Sequence, residues 1–408
     1  MTKDDQYSVI AGTHHHLADV VDKKEHARKR KVLSSAFAQK NLEDWEYKVA
    51  DKVERLIAQF DAHCNQNPDT SIDYRAWTNF YTIDALVDLT ISKRINCLDK
   101  GDDPVIAERL DGSTWKVNFR DCLYATFLAQ SSLIWSYDWF HTLKMITNVL
   151  SPYYKHLWSL SAGWGGLVHH LTTLRWERYK KGEVVSDLFQ SLMEDKSGNH
   201  QNLEWGEIVA EVALMISGSS SVSNTIANVM FQLLENPKCM QKLRDEVDSA
   251  LDADDIVAPN DKVKHLPYLR ACLDESLRMY PSISHGLPRA TPPEGAQIRD
   301  EWIPGNTSVS ISAYVAHRDP AVFPNPEMFD PDRWLGDEAK QLQQYFIAFS
   351  AGARGCIGRP ISYLLQTMLL ASMLHRYEFS LPYPGWEPSR QETMNLIVGP
   401  MPVRIKRR

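Results

Sequence analysis

The sequence lacks any pair of cysteines spaced as C-x-x-C, and its six cysteines are far apart: Cys64, Cys97, Cys122, Cys239, Cys272 and Cys356. This pattern indicates neither a zinc ribbon nor a disulfide framework. We therefore expect the chain to face a reducing compartment, and any special role for one cysteine must come from its local surroundings.

Other signals are also missing. No apolar run reaches the roughly 18 residues of a membrane span, and the first residues, MTKDDQYSV, do not form a signal peptide, so we expect the chain as given to be soluble. The motifs H-E-x-x-H, G-x-x-x-x-G-K-[ST] and G-x-S-x-G are absent, which removes the commonest zincin, P-loop and hydrolase interpretations. The formal net charge of −7 argues against a nucleic-acid partner.

What is present is a chain of 408 residues with 43% hydrophobic content and no internal repeat or linker. Helical periodicity dominates as far as about residue 250; a first helix carries Leu42, Trp45, Val49, Val53 and Ile57 on one stripe. A long helix is predicted over 207–235, although the Ser-rich stretch in its middle is a poor helix former. We expect one large, mainly helical domain with small β elements over residues 1–408.

The last third of the chain has a different composition. A helix over 267–280 stops before Pro281, and short strands are predicted around a turn at Pro304 and Gly305. A long loop with four prolines over 317–335 follows. Loops of this length inside a compact domain are usually functional.

The stretch FSAGARGCIGRP, residues 349–360, then places Cys356 between two glycines and just before a predicted helix. Most free cysteines are small buried hydrophobes, and this interpretation suits the other five. At Cys356, the glycines allow close backbone approach and the start of a helix favours an anion. Such surroundings suit a thiolate that ligates a metal.

The loop matches F-x-x-G-x-R-x-C-x-G at Phe349, Gly352, Arg354, Cys356 and Gly358. It resembles the haem-binding loop of the cytochrome P450 monooxygenases. The resemblance implies a mainly α cytochrome P450 fold with small β-sheets. It also implies that Cys356 is the axial thiolate of haem b, that Phe349 packs near the sulfur and that Arg354 meets a haem propionate.

Two further motifs fit this family. Glu275 and Arg278 lie three apart on a predicted helix, a spacing that is usually just a surface pair. Their position ahead of the cysteine loop is similar to that of the family's Glu-Arg-Arg cluster. Arg333, in PDRW, would be its third member, with a structural role.

The Ser-rich stretch alone would indicate a kinked helix with hydroxyls bonded back to their own carbonyls. Aligned on Gly218, it resembles the family's groove motif, in which an acid and a Thr relay protons. Ser220 stands at the acid position and Ser221 at the Thr position, so the alcohol is retained and the acid is lost.

The basic segment KKEHARKRK, residues 23–31, usually indicates a solvated helix face or a localisation signal. The family's corresponding helix carries W-x-x-x-R, and here His26 and Arg30 occupy those positions as propionate partners. Arg289, in GLPRATP, is a further propionate candidate, and residues 283–287 would face substrate.

The resemblance implies a monooxygenase that inserts one oxygen atom of O2 into a small aromatic or secondary-metabolite substrate. Electrons would come from NADPH through a separate NADPH-cytochrome P450 reductase. Within the family, the segments EHARKRK, LDKG, GLPRATP and AHRDP together resemble those of fungal enzymes similar to benzoate para-hydroxylase. Family members carry a membrane anchor, a first helix and first sheet strands ahead of residue 1. We therefore expect an N-terminally truncated fold whose full-length form associates with the endoplasmic reticulum membrane, on its cytosolic face, through that anchor.

Three other interpretations stay open. The first is a cysteine nucleophile that works with one of the fourteen histidines. The second is a catalytically impaired relative that binds haem or another ligand. The third is a member of the same family that catalyses a rearrangement or a coupling rather than a hydroxylation.

Overall fold

A computed structural model describes residues 1–37, 39–66 and 71–408. Helices carry most of the described chain. They are α1 (Gln6–Ile10), α2 (Lys23–Ser34), α3 (Gln39–Asp44), α4 (Glu46–Gln66), α5 (Tyr74–Ile91), α6 (Cys97–Lys100), α7 (Phe119–Leu133), α8 (Phe140–Leu150), α9 (Pro152–Lys180), α10 (Leu188–Met193), α11 (Trp205–Glu235), α12 (Pro237–Ala250), α13 (Asn260–Val263), α14 (Pro267–Met279), α15 (Ala313–Ala316), α16 (Ala339–Tyr345) and α17 (Arg359–Arg376). Short 3-10 helices cover Ile134–Trp139, Pro331–Trp334 and Gly352–Arg354.

The strands are short and lie at the margin of the helices. They are β1 (Thr2–Lys3), β2 (Ser71–Asp73), β3 (Pro104–Glu108), β4 (Thr114–Asn118), β5 (Arg289–Ala290), β6 (Ala296–Ile298), β7 (Glu301–Ile303), β8 (Ser308–Val309), β9 (Tyr377–Ser380), β10 (Arg390–Gln391), β11 (Ile397–Val398) and β12 (Pro402–Arg407). Two sheets have three antiparallel strands, in the orders β1-β5-β8 and β2-β12-β9, and three hairpins pair β3 with β4, β6 with β7 and β10 with β11.

Two helices form the centre of the core. Helix α5 is buried on nearly all sides, as expected for a central helix, and the side chain of Asp73 caps its first turn by accepting from the N–H groups of Arg75 and Ala76. Helix α11 packs along α5 and also contacts α14 and α17. Its start is fixed by a capping box between Glu204 and Glu207.

The predicted long helix is confirmed, since α11 runs without interruption through the Ser-rich stretch and ends before Pro237. Ser217, Ser221 and Ser223 donate their hydroxyls to carbonyls three residues earlier, which satisfies these groups inside the helix. The expected turn at Pro304 lies between β7 and β8.

The first predicted helix differs from the expectation because it is divided at Trp45 into α3 and α4. The Trp45 indole is buried and donates to the Ser186 hydroxyl at 2.8 Å, a long-range contact that periodicity does not show. The apolar stripe itself is correctly predicted, since its five residues are all buried.

The carboxylate of Glu275 in α14 is fully buried and accepts five hydrogen bonds of 2.8–3.0 Å. Arg278 donates two of them, Arg333 one, and the Trp334 indole and the Asp330 backbone N–H one each. The predicted cluster is therefore brought together, with Trp334 as a further member. It joins α14 to the proline-rich loop.

His317 connects this cluster to the cysteine loop. Its Nδ1 lies 3.1 Å from the Arg278 carbonyl, its Nε2 accepts from the Ile347 N–H at 2.9 Å, and its ring stacks on Phe346. Burial lowers the pKa of His317 to about 4, so the ring is neutral at pH 7. A neutral ring with hydrogen on Nδ1 satisfies both contacts.

Replacing Glu275 by Gln should lower the free energy of unfolding by about 3–5 kcal/mol, because two buried guanidinium groups lose their counter-charge. The matched change Glu327→Gln removes an exposed partner of Arg318 and should cost less than about 1 kcal/mol. Urea unfolding of both variants measures the difference. Equal losses would contradict the structural role of Glu275.

Candidate haem-thiolate site

The cysteine loop joins α16 to α17 through a tight backbone turn. Ser350 and Gly352 have positive φ of 57° and 67°, and a 3-10 turn follows from Gly352. The Cys356 N–H then donates to the Phe349 carbonyl at 2.8 Å. This bond closes the loop so that Cys356 lies three residues before Arg359, the first residue of α17. The requirement for glycine is strongest at Gly352, because its φ is rarely adopted by other residues.

Cys356 is an exposed residue, although protein atoms surround its thiol densely. Burial raises the pKa of this thiol. The backbone N–H groups of Gly358 and Arg359 and the charges of Arg30 and Arg359 act in the opposite direction. The start of α17 therefore supplies hydrogen-bond donors to the sulfur. A cationic metal centre would favour the thiolate further.

The side chain of Phe349 is half-buried beside this loop. Its ring lies 5.2 Å from the ring of Tyr363, and the guanidinium of Arg359 lies 5.5 Å from its centroid. The Tyr363 hydroxyl donates to Asp274 of α14 at 2.5 Å. The loop is thus anchored on α17 through Phe349 and Tyr363, and Tyr363 connects it to α14.

Three predicted propionate partners are held by backbone carbonyls. Arg30 donates to Gly355 at 2.7 Å, Arg354 donates to Val20 and Val21, and Arg289 donates to Leu287 and Pro288. None of the three guanidinium groups forms a salt bridge within residues 1–37, 39–66 and 71–408. Half-buried cations without a carboxylate partner fit an anionic ligand.

His26 is buried beside the same charges. Burial lowers the pKa of His26 to about 4, and Arg354, Lys3 and Arg30 lower it further by their charges. The imidazole is consequently neutral at pH 7. A neutral ring offers one N–H donor, as does the indole that the family places at this position.

Lys3 belongs to this group of cations and was not predicted. It pairs with Arg289 across strands β1 and β5 and donates to the carbonyls of Leu17 and Ala18. Burial lowers the pKa of Lys3 to about 7, and Arg354 and Arg289 add to this effect while Asp19 and Glu211 oppose it. The only signal in the sequence is one lysine near the chain start, which does not reveal a cross-strand partner 286 positions later.

The groove of α11 places its serines on two sides of the helix. Ser217, Gly218 and Ser221 form a half-exposed stripe, whereas Ser219 and Ser220 are buried and their hydroxyls have no partner among the described residues. The Ser221 carbonyl accepts from Thr225 and from Ser282, which joins the groove to the segment after α14. Ser220 and Ser221 therefore do not face the same space.

A cavity of about 550 Å³ opens beside this segment. Its described lining comes from α1, α7, the segment after α14, the start of α15 and the turn between β10 and β11. His285 and Leu287, from the segment 283–287, are among its lining residues, and the prediction that this segment faces substrate stays a prediction. Glu392 also lines it and was not predicted.

Two features are absent from the described ranges. No group of three or more His, Cys, Asp or Glu side chains there is arranged to hold a metal ion. No helix there has both the length and the apolar character that crossing a membrane requires.

The cytochrome P450 family model matches residues 6–407, and the chain belongs to this family. The fold agrees with it: the crystal structure of a cytochrome P450, CYP102L1, superimposes with a TM-score of 0.75 at 19% identity, covering 99% of this chain and 83% of that one. The mainly α prediction with small sheets is thus confirmed.

Fungal monooxygenases are among the similar proteins. The cytochrome P450 monooxygenase efuB of Hormonema carpetanum is 27% identical over 88% of this chain and 68% of its own length, and stcF of Emericella nidulans is 25% identical over 88% and 70%. A further one, atr2 of Stereocaulon alpinum, is 42% identical over 170 residues, which are 41% of this chain and 33% of atr2. The resemblance to benzoate para-hydroxylases stays a prediction.

The site residues fit a haem. An exposed cysteine near the start of α17 suits the iron, and the guanidinium groups of Arg30 and Arg354, which form no salt bridge among the described residues, suit propionates. In the family this cofactor is bound through a cysteine thiolate, so Cys356 would hold the iron while Lys3, His26, Arg30, Arg289 and Arg354 surround the carboxylates.

The depressed pKa of Lys3 predicts a pH dependence for the haem-free protein. Between pH 7 and 10.5 the unfolded chain binds a proton at Lys3 that the folded chain does not, so the free energy of unfolding rises with pH in this window. The increase from pH 7 to pH 9 should be on the order of 2 kcal/mol.

Urea unfolding at pH 7 and pH 9 measures this increase, and Lys3→Met should remove it. The control Lys116→Met, at an exposed position of β4, should leave it unchanged. A pH dependence that persists in Lys3→Met would contradict the assignment.

Proposed function

We propose that this chain is a haem-thiolate monooxygenase that inserts one oxygen atom of O2 into a small organic substrate. Electrons come from NADPH through a separate NADPH-cytochrome P450 reductase. The observation that carries the proposal is the exposed Cys356 near the start of α17, next to guanidinium groups without carboxylate partners among the described residues. Haem b, a single domain and an endoplasmic reticulum location of the full-length protein belong to the same proposal.

The cofactor supplies the redox chemistry of oxygen activation, and the protein residues bind, orient and protect it. Arg30 has two roles, because it donates to the Gly355 carbonyl and its charge favours the thiolate form of Cys356. The same guanidinium is a propionate partner in our proposal. The N–H groups of Gly358 and Arg359 stabilise the thiolate form of Cys356 by hydrogen bonding.

The exposed face of α2 offers a site for the reductase. Lys23, Lys24, Arg28 and Lys31 are exposed there, whereas Lys29 is buried in ion pairs with Glu207 and Glu211. An acidic partner would be attracted to this face, which raises the encounter rate more than the affinity.

Proton delivery in the α11 groove rests on hydroxyls. Ser221 holds its hydrogen bond to Gly218, and Ser220 has a buried hydroxyl without a partner. Neither group is acidic near neutral pH, and only Ser221 lies on the half-exposed side of α11, so protons would pass through waters that the Ser221 hydroxyl holds. We infer slower or less coupled turnover than in relatives that carry an acid at this position.

The second candidate is a catalytically impaired relative, or one that performs a rearrangement or coupling. Ser220 at the acid position favours it. A cysteine nucleophile is less well supported, because the described groups that act on the Cys356 pKa are arginines and backbone amides and include no histidine. Thiol-directed inactivation without haem absorbance would favour the nucleophile.

Reduced protein treated with carbon monoxide should show the strongly red-shifted Soret band of a thiolate-ligated haem. Cys356→Ser should lose this band, because a serine hydroxyl does not replace the thiolate as ligand. Cys64→Ser, at a half-buried cysteine elsewhere, is the matched control and should keep it. A parent spectrum typical of histidine ligation, or no haem uptake, would overturn the proposal.

Ser221→Ala should raise the peroxide released per NADPH consumed, because the groove then holds its water less well. Ser220→Asp should lower it by supplying the missing acid. Ser219→Ala changes a neighbouring buried hydroxyl and is the control. If both test variants match the parent in peroxide yield while binding substrate normally, these serines only pack the helix.

A further inference from the structure

The cavity described above carries little charge on its wall. Among the described lining residues, none is a lysine or an arginine, and the ionisable groups other than tyrosines are Glu392 and His285. Burial lowers the pKa of His285, with Glu392 opposing that effect, so the imidazole is neutral at pH 7. Glu392 therefore gives the cavity a single negative charge.

The carboxylate of Glu392 is held in place by a buried partner. Its Oε2 accepts from the hydroxyl of Ser284 at 2.5 Å, and Ser284 is only 3% exposed. The Ser284 carbonyl in turn accepts from the Ser312 hydroxyl and the Tyr314 N–H, at the start of α15. This arrangement orients the carboxylate before any ligand arrives.

The turn that carries Glu392 is also fixed. Glu392 directly follows β10, which pairs with β11. The buried Thr393 hydroxyl donates to the Asn395 carbonyl and accepts from the Asn395 N–H. A carboxylate on a constrained turn loses little conformational freedom when it receives a hydrogen bond from a ligand.

The rest of the wall is apolar or neutral. Ile10, Leu128, Trp135 and Met394 offer surface to a hydrophobic body, while Gln6, Ser131, Ser132 and Gln391 are neutral polar groups. A volume of about 550 Å³ is in the usual range for sites that bind small organic molecules. The cavity suits a compact, largely apolar ligand with few polar groups.

We propose that Glu392 selects substrates by charge: the cavity takes an apolar compound that carries a hydrogen-bond donor, such as a phenol or an amine, and rejects a carboxylate. The donor binds the carboxylate of Glu392, which Ser284 keeps oriented. This inference rests on the proposed function, since it names the substrate class of that site. It disfavours an aromatic acid such as benzoate.

Four naphthalene probes of one size test the proposal on the haem-loaded protein: 2-naphthol, 2-naphthylmethylamine, 2-methoxynaphthalene and 2-naphthoate. Isothermal calorimetry gives each Kd. The parent should bind the two donors more tightly than the methoxy compound, and the carboxylate most weakly. Glu392→Gln should lower the Kd of 2-naphthoate by roughly three- to tenfold and raise the Kd of the amine by a similar factor. The Kd of the methoxy compound should stay the same within about twofold.

Two further variants make the result decisive. Glu301→Gln, an exposed change on β7 outside the cavity, should leave all four constants unchanged. Ser284→Ala keeps the charge but frees the carboxylate, so the preference for 2-naphthol over the methoxy compound should fall while 2-naphthoate stays weak. Ser284→Ala also tests the role of the Glu392 carboxylate if Glu392→Gln does not fold.

The experiment distinguishes failure of the proposed charge selection from failure of the proposed haem-thiolate function. The carbon monoxide spectrum of each preparation reports the haem-thiolate, and calorimetry reports the cavity independently of redox chemistry. A normal spectrum with the same ranking of ligands in parent and Glu392→Gln overturns the charge selection alone. A missing spectrum overturns the proposed function, and the two uncharged probes, 2-naphthol and 2-methoxynaphthalene, then still decide the role of Glu392 by their relative Kd in parent and Ser284→Ala. If only the amine binds tightly, and this binding is lost in Glu392→Gln, the hydrogen-bond donor of the substrate is an amine rather than a phenol.

Discussion

One buried carboxylate connects the parts of the chain that build the haem side of the molecule. Glu275 receives donors from α14 itself, from Arg333 and Trp334, and from the backbone at Asp330. A carboxylate in an apolar interior is stable only when its hydrogen-bonding capacity is filled. Loss of any one of these segments would therefore leave the buried Glu275 carboxylate with an unsatisfied oxygen. His317 connects the same cluster to Ile347, two residues before Phe349 of the cysteine loop.

The second constraint is electrostatic. Half-buried guanidinium groups at Arg30, Arg289 and Arg354 are satisfied in the protein by carbonyl and hydroxyl oxygens, which compensate a positive charge incompletely. Burial is the main cause of the depressed pKa values of His26 and Lys3, and the neighbouring cations lower both further. In the proposed function, a dianionic cofactor would compensate these positive charges, which the described residues leave without a carboxylate partner.

Sequence reasoning was successful where chemistry and spacing coincide within a short segment. The ten-residue loop around Cys356, the Glu275 and Arg278 pair and the long helix through Gly218 each carry their signal locally, and the structure has them as expected. The sequence did not predict the helix break at Trp45, the place of Lys3 among the cations or the place of Glu392 in the cavity wall. Their roles depend on partners at Ser186, Arg289 and Ser284, and such long-range contacts leave no periodic trace in the sequence.

The two charged regions of the site have opposite sign, and they are adjacent. Tyr7 lines the cavity that contains Glu392, and its hydroxyl accepts from Arg289 of the cationic group. Without an anion among the cations, a ligand carboxylate would be drawn across Tyr7 to Arg289. If propionates occupy that place, as we propose, Glu392 is the charge of the described cavity lining that a ligand would meet. The proposed selection against carboxylates would therefore depend on the bound cofactor, because the cations attract an anion and Glu392 repels one.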